Sequence, residues 1–310
     1  MADARAVLVT GATGLVGSRI VAALLARDTP VRVFTRDPEA ATRRLGPRVS
    51  AIGWNGVTPP PAAVDGCNGV LHLAGEPVFG GLPTAARRRR IHDSRVDSTR
   101  ALVHAIGDLP APNRPRSFVC ASAVGFYGDR GDELLEEGAA VGDGFMAELC
   151  RDWEAAAASA EGYGVRAAQL RIGIALAREG GALPQLALPF RFGAGGRVGS
   201  GRQWVPWIHI DDLVALFLAV LDDEDLRGPV NAVAPEPVRN AELTRVLGRV
   251  LRRPTLLPVP GFALRTALGE LAGELLGSRR VVPARARTHG FTFAHPDLEA
   301  ALACELCRPE

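Results

Sequence analysis

Three groups of residues in this chain have types and spacings that bear on chemistry. The first is the run Val7-Leu8-Val9-Thr10-Gly11-Ala12-Thr13-Gly14-Leu15-Val16-Gly17, where an apolar stretch enters glycines at 11, 14 and 17. Ile20, Val21, Leu24 and Leu25 continue it at helical spacing, so the stretch reads as strand, tight turn and helix. Gly11 permits the turn, Gly14 lets backbone approach a ligand, and Gly17 lets the helix pack on the strand. A helix N-terminus placed there offers unpaired N–H groups and partial positive charge to a pyrophosphate. The second group is Thr35-Arg36, at the end of Val31-Arg32-Val33-Phe34. In a doubly wound sheet this strand end meets an adenosine ribose. An arginine fork there suits a 2′-phosphate, whereas an acidic residue would suit a free 2′-hydroxyl. The expected guest is therefore NADP(H) rather than NAD(H). The third group is Ser122 and Tyr127, a hydroxyl at the end of a strand and a phenol just after it.

The elements that must position these residues alternate in the βα manner. Val49 to Trp54 reads as a weak third strand and Gly69 to His72 as the fourth, with Leu73-Ala74-Gly75-Glu76 as its exit. His72 is read as a buried core histidine rather than a ligand. Arg87-Arg88-Arg89-Arg90 opens a long helix through Ile106 that carries Arg95. Ser117 to Ser122 is the fifth strand. A polar loop with Asp132, Glu133, Glu136 and Glu137 follows and is read as mostly solvated. Phe145 to Ala160 is a helix carrying Cys150, Trp153 and Glu154. Val165 to Leu176 is the sixth strand, containing Arg171. Beyond it the alternation breaks into a glycine-rich excursion over 192–201. Trp204 to Ile210 then reads as a strand, and Asp211 and Asp212 as caps of the helix Leu213 to Leu221. Short helices over 241–251, 262–276 and 298–302 close the chain. The expected fold is α/β: a doubly wound parallel sheet, the NAD(P)-binding Rossmann fold, with a second, smaller α/β C-terminal domain. The nucleotide-binding domain takes residues 1–178 and about 204–235, and the smaller domain about 179–203 and 236–310.

Composition narrows the function classes. An apolar content of 47% and a charged content of 23% are ordinary for a soluble globular protein. A net charge of +2 gives no general pull toward nucleic acid. The arginine run has no interleaved aromatics and is read as a solvated face. No apolar run reaches membrane-spanning length, and Met1 to Arg5 leads straight into the first strand, so no leader is expected. Five scattered cysteines suit a reducing cytoplasm. Cys304 and Cys307 form one CxxC with no second pair, so no metal site is expected. The 36 basic residues are all arginine, and the chain contains no lysine.

These stretches resemble an extended short-chain dehydrogenase/reductase of the nucleoside-diphosphate-sugar epimerase type. The likeness is closest to an SDR39U-like subgroup of epimerase-family proteins. It rests on Thr10-Gly11-x-x-Gly14-x-x-Gly17, Thr35-Arg36, Leu73-Ala74-Gly75-Glu76, Ser94-Arg95, Gly125-Phe126-Tyr127-Gly128 and Trp153-Glu154. It continues through Gly199-Ser200-Gly201, Trp207-Ile208-His209-Ile210-Asp211-Asp212 and Gly290-Phe291. From about Pro254 onward the chain resembles a small domain of unknown function found in that subgroup. The resemblance implies NADP(H) binding. By position, the turn through Thr13 with Leu15 and Val16 lines the pyrophosphate, and Thr35 and Arg36 hold the 2′-phosphate. Leu73, Ala74, Gly75 and Glu76 lie along the cofactor, Arg95 reaches toward it, and Arg171 lies near its nicotinamide half.

The resemblance also exposes a gap. The superfamily moves a proton with a Tyr-x-x-x-Lys pair on the helix after the fifth strand. Here that helix offers Phe145-x-x-x-Leu149 or, anchored on Glu154, Met146-x-x-x-Cys150. Arginine does not release a proton near neutral pH, so a lysine-type relay is excluded. Ser122 and Tyr127 remain as candidates, Tyr127 as general acid or as a packed structural phenol. Cys150 is read as a small core residue before a nucleophile, and His209 as a ligand contact or a partner of Asp211 or backbone. Two readings stay open: an oxidoreductase or epimerase acting on an unknown carbonyl or nucleotide-sugar-like small molecule, and an NADP(H)-binding sensor or scaffold without turnover. The oligomeric state is not legible.

Overall fold

Val7, Leu8 and Val9 on β1 (Ala6–Thr10) are sealed on both faces, as a central parallel strand requires. The computed structural model describes residues 5–79, 81, 84–255 and 258–307; Met1–Ala4, ahead of the expected first strand, lie outside them. β1 turns through Gly11–Gly14 into α1 (Leu15–Ala26). β2 (Val31–Thr35), α2 (Pro38–Leu45), β3 (Val49–Gly53) and β4 (Cys67–His72) follow. Next come α3 (Ala85–Gly107), β5 (Ser117–Ala123), α4 (Phe145–Ala158), β6 (Arg166–Ile172) and, after a long excursion, β7 (Gly228–Ala232). These seven strands pair in the order β7-β6-β5-β4-β1-β2-β3, all parallel. The order reverses at β1, so the crevice between the C-terminal ends of β1 and β4 is where such sheets hold ligands. This is the doubly wound fold that the alternation implies. Among the described residues no helix is long and apolar enough to cross a membrane.

The expected sixth strand, Val165 to Leu176, is two strands. Gly173 passes so close to Pro206 that an added Cβ would sit 2.8 Å from its carbonyl oxygen. There the chain leaves the main sheet, and Ile174–Leu176 pairs instead with Trp207–His209. The expected strand from Trp204 to Ile210 divides likewise, Trp204–Val205 pairing antiparallel with Val238–Arg239. These short ladders, with helices Leu183–Arg191, Asn240–Leu251 and Leu298–Leu306, enclose a second apolar cluster around Leu183, Phe190, Trp207, Leu247, Leu298 and Leu302.

The helix at Ile210–Asp222 begins earlier than expected, with a different cap. His209, not an aspartate, is the N-cap, and its Nδ1 accepts from Asp211 N at 3.1 Å. Asp212 turns away and accepts from Ala294 N and His295 N at 2.8 and 3.0 Å, which ties the C-terminal segment to the sheet. Of the acidic loop expected to be solvated, Glu137 is buried. Its carboxylate accepts from Asn231 N and Arg285 N at 3.0 and 3.2 Å.

Candidate functional site

The turn after β1 builds one wall of a cleft of ≈ 720 Å³ at the switch point. Gly11 has φ +66°, and a Cβ on it would lie 2.8–2.9 Å from the backbone of Leu73 and Ala74. A Cβ on Gly17 would lie 2.3 Å from Gly11 O, so α1 starts directly against the turn. Gly14 caps α1 without a side-chain hydrogen bond, leaving the first-turn N–H groups to a ligand. Gly11, Thr13, Gly14, Thr35, Arg36, Leu73, Ala74, Gly75 and Glu76 of the sequence expectation line this cleft. Leu15, Val16, Gly17 and Arg95 do not line it with side chains; Leu15 packs against Gly181, Val16 against the core, and Arg95 behind Gly75.

Arg36 is exposed at the cleft and makes no hydrogen bond or ion pair with the described residues. Its neighbour Asp37 is engaged elsewhere, capping α2 by accepting from Ala40 N at 2.9 Å. Trp54, Asn55, Ser94 and Ser98 also line the cleft and were not singled out in the sequence. The Nε1 of Trp54 is buried without a partner. An orphaned donor in the wall and glycines that admit close backbone approach both fit a bound dinucleotide. The signal for Trp54 was its place just past β3, beside the crevice.

His72 shows how this floor is held. Thr10 Oγ1 accepts from the N–H groups of Leu73 and Ala74, both at 3.1 Å. Its proton therefore goes to His72 Nδ1 at 2.7 Å, which leaves Nε2–H to face Ser98 Oγ at 3.3 Å. Burial, with the Arg95 charge as a lesser cause, pushes the His72 pKa down to about 3. Unfolded, the ring takes up its proton near 6.5. Between those values the unfolded state holds the extra proton, so stability falls as pH drops from 6.5 toward 3, by about 1.4 kcal/mol per pH unit. In His72→Asn, whose Oδ1 still accepts from Thr10, urea midpoints at pH 7 and pH 4.5 should differ less than in the parent protein. An unchanged difference refutes the assignment.

Ser122 and Tyr127 are brought into one buried network rather than to the cleft. Ser122 Oγ donates to Glu154 Oε1 at 2.6 Å. Arg171 clamps Glu154 with Nε and Nη2 at 2.9 and 2.8 Å, donates from Nη1 to Tyr127 Oη at 2.9 Å, and stacks 3.5 Å over Phe126. Tyr127 donates to Asn231 Oδ1 at 2.6 Å and is wholly buried. Burial raises its pKa, against the lowering effect of Arg171. Of the two readings of Tyr127 this geometry fits the packed structural phenol, and the expectation for Arg171 is corrected. The Tyr127 phenol is sealed and fully hydrogen-bonded, so it faces no substrate. Arg171 has its donors engaged inside the protein and lines no part of the cleft. Burial holds Cys150 neutral, its pKa pushed up to about 12.

A second cavity of ≈ 490 Å³ adjoins the cleft. Arg87 lines it and donates to the carbonyl of Pro77, itself a cleft residue. Ile91 and Met146 supply apolar walls, and the C-terminal segment supplies Leu271, Glu274 and Arg279. Glu274 and the buried Arg279 pair at 2.9 Å. This contribution was not legible, because the residues lie over a hundred positions from Ile91 and Met146 across the cavity. Elsewhere, His209, His295 and Cys304 bring potential ligand atoms within 4.8 Å of one another. The two imidazoles stack at 3.7 Å with planes 27° apart, so their in-plane lone pairs do not converge on one ion.

Comparison with known proteins agrees with this geometry. Residues 7–233 match the NAD dependent epimerase/dehydratase family, and residues 259–304 match a domain of unknown function, DUF1731. The chain is 39% identical over 309 residues to the chloroplastic SDR39U1 homolog of Arabidopsis thaliana, spanning 96% of this chain and 85% of that protein. It is 36% identical over 301 residues to the Bos taurus epimerase family protein SDR39U1, spanning 96% and 98%. The crystal structure of human SDR39U1 with NADPH superposes with a TM-score of 0.84 at 31% identity, covering 96% of this chain and 98% of that one. With the full parallel sheet, the glycine turn and the C-terminal segment all matched, this chain belongs to the NAD dependent epimerase/dehydratase family, among its SDR39U1-like members.

Proposed function

We propose that this protein binds NADP(H) in the cleft at the switch point and acts as an oxidoreductase or epimerase-type enzyme on a small carbonyl or hydroxyl compound in the adjoining cavity. The carrying observation is Arg36, a guanidinium without a partner among the described residues where β2 ends in the cleft. The NADPH in the human SDR39U1 crystal supports the same reading. Residues 1–178 and about 204–235 serve nucleotide binding, and about 179–203 and 236–310 serve the substrate side. When bound, the nicotinamide supplies or accepts a hydride. The chain positions it with Gly11, Thr13 and Gly14 at the pyrophosphate, Thr35 and Arg36 at the 2′-phosphate, and Leu73 to Glu76 along its length. Ser122 directs its proton to Glu154 inside the buried network and supports the cleft from beneath rather than meeting the substrate.

Arg36→Ala should weaken NADPH about 10- to 100-fold, the loss of one charge-assisted contact, and leave NADH nearly unchanged. Titration of both nucleotides by fluorescence checks this; equal weakening of the two removes the 2′-phosphate assignment. A second reading, binding without turnover, is favoured by the sealed Tyr127. NADPH-loaded protein mixed with quinones, small ketones and sugar nucleotides separates the two readings. Loss of the near-ultraviolet nicotinamide absorbance supports an enzyme, and an unchanged spectrum with tight binding supports a sensor.

A further inference from the structure

Arg95 is a cation with no counter-ion in contact among the described residues. It extends from α3 against Gly75, where an added Cβ would lie 2.9 Å from its Cζ. Its Nη1 donates to the carbonyls of Glu76 and Ile91 at 2.8 and 3.2 Å, and its Cζ lies 5.3 Å from the ring centroid of Trp153. Nε and Nη2 donate to no acceptor among the described residues, and no carboxylate there pairs with it. Its electrostatic neighbours are Cys150, Glu76 and Cys120; the Glu76 carboxylate offsets part of the charge from beyond ion-pair distance and is itself drawn to Arg87 and Arg90. Burial keeps both thiols protonated, so neither compensates the charge. Cys150 occupies the lysine position when Met146-x-x-x-Cys150 is anchored on Glu154.

We propose that Arg95 supplies, from a different helix, the positive charge that the missing lysine would hold, and that this charge makes the cleft select reduced over oxidised nicotinamide. The proposal rests on the reading that the cleft takes NADP(H). Arg36 stands at β2, on the adenosine side of the switch point. Arg95 stands between α3 and α4 on the β4–β5 side, toward the other half of a dinucleotide laid across the crevice. The oxidised ring carries a positive charge and the reduced ring does not. A fixed, poorly solvated guanidinium nearby therefore penalises only the oxidised form. Through thermodynamic linkage, the bound pair shifts toward NADPH.

The test compares dissociation constants for NADPH, NADP⁺ and adenosine 2′,5′-bisphosphate, a fragment without the nicotinamide half. In the parent protein NADPH should bind on the order of tenfold more tightly than NADP⁺. Arg95→Gln should bring that ratio close to one, chiefly by strengthening NADP⁺, and Arg95→Lys should retain the preference. Unchanged affinity of both variants for the bisphosphate shows that the adenosine end is intact. An unaltered NADPH/NADP⁺ ratio in Arg95→Gln overturns the proposal while leaving the cofactor reading in place. Failure of the parent protein to bind either nucleotide overturns both. If Arg95→Gln does not fold, the parent protein alone decides: equal affinity for the two redox forms is fatal to the proposal, and a clear preference for NADPH together with its retention in Arg95→Lys upholds it.

Discussion

Replacing Arg171 with methionine should lower the free energy of unfolding by about 3–5 kcal/mol, the cost of stranding a buried charge. The side chains of Arg171 and Glu154 are 4% and 11% exposed, and they meet through two parallel hydrogen bonds. Methionine leaves the Glu154 carboxylate with Ser122 as its one remaining donor in the network. It also removes the donor that meets Tyr127 Oη. At about 2.1 cal/mol/K of unfolding entropy per residue, a loss of that size corresponds to about 5–8 °C in Tm for a chain of this length. The double variant Arg171→Met with Glu154→Gln should recover part of the loss, because no unpaired charge stays buried. Calorimetry of the parent protein and the two variants checks this. A single variant within about 1 kcal/mol of the parent would mean that the pair is not desolvated as described.

Gly11→Ala and Gly17→Ala should abolish detectable NADPH binding and destabilise the fold, whereas Gly14→Ala should act mainly on binding. The first places a Cβ against the backbone of Leu73 and Ala74 at a positive φ, and the second places one 2.3 Å from Gly11 O. Neither neighbour is a flexible side chain that can swing away, so β1, β4 and the start of α1 must separate. The crevice between β1 and β4 is the cleft itself, so the same displacement removes the ligand site. At Gly14 the nearest atom to an added Cβ is 3.1 Å away, also Gly11 O, a contact relieved by a small shift. Its methyl nevertheless projects where the proposed pyrophosphate would approach. Thermal melts with NADPH titrations separate the three. Tight NADPH binding by Gly11→Ala would place the nucleotide elsewhere.

The placement of the glycine turn and of Arg36 at the cleft was legible because each is set by its own sequence neighbourhood. A strand, a turn with glycine at fixed spacing and a helix form locally, and the end of β2 is defined by β2 itself. The role of Tyr127 stayed open between acid and structural phenol because sequence sets only its distance from β5. Whether the phenol turns to the crevice or beneath it depends on Arg171 in β6 and Asn231 in β7. Asp212 was misjudged as a cap for a similar reason: its partners, the N–H groups of Ala294 and His295, arrive from 82 and 83 positions away.

The sequence by itself determined the doubly wound sheet, the nucleotide-type turn and the absence of a lysine proton relay. Each follows from residue type, local periodicity or a missing side chain. Only the tertiary structure decided that Tyr127 and Arg171 are buried supports, that Arg95 stands beside Gly75 with no ion pair among the described residues, and that Leu271, Glu274 and Arg279 wall the second cavity. Those outcomes depend on which distant side chains satisfy a buried charge or donor. The high cost of leaving such groups unpaired makes that choice a property of the packed molecule.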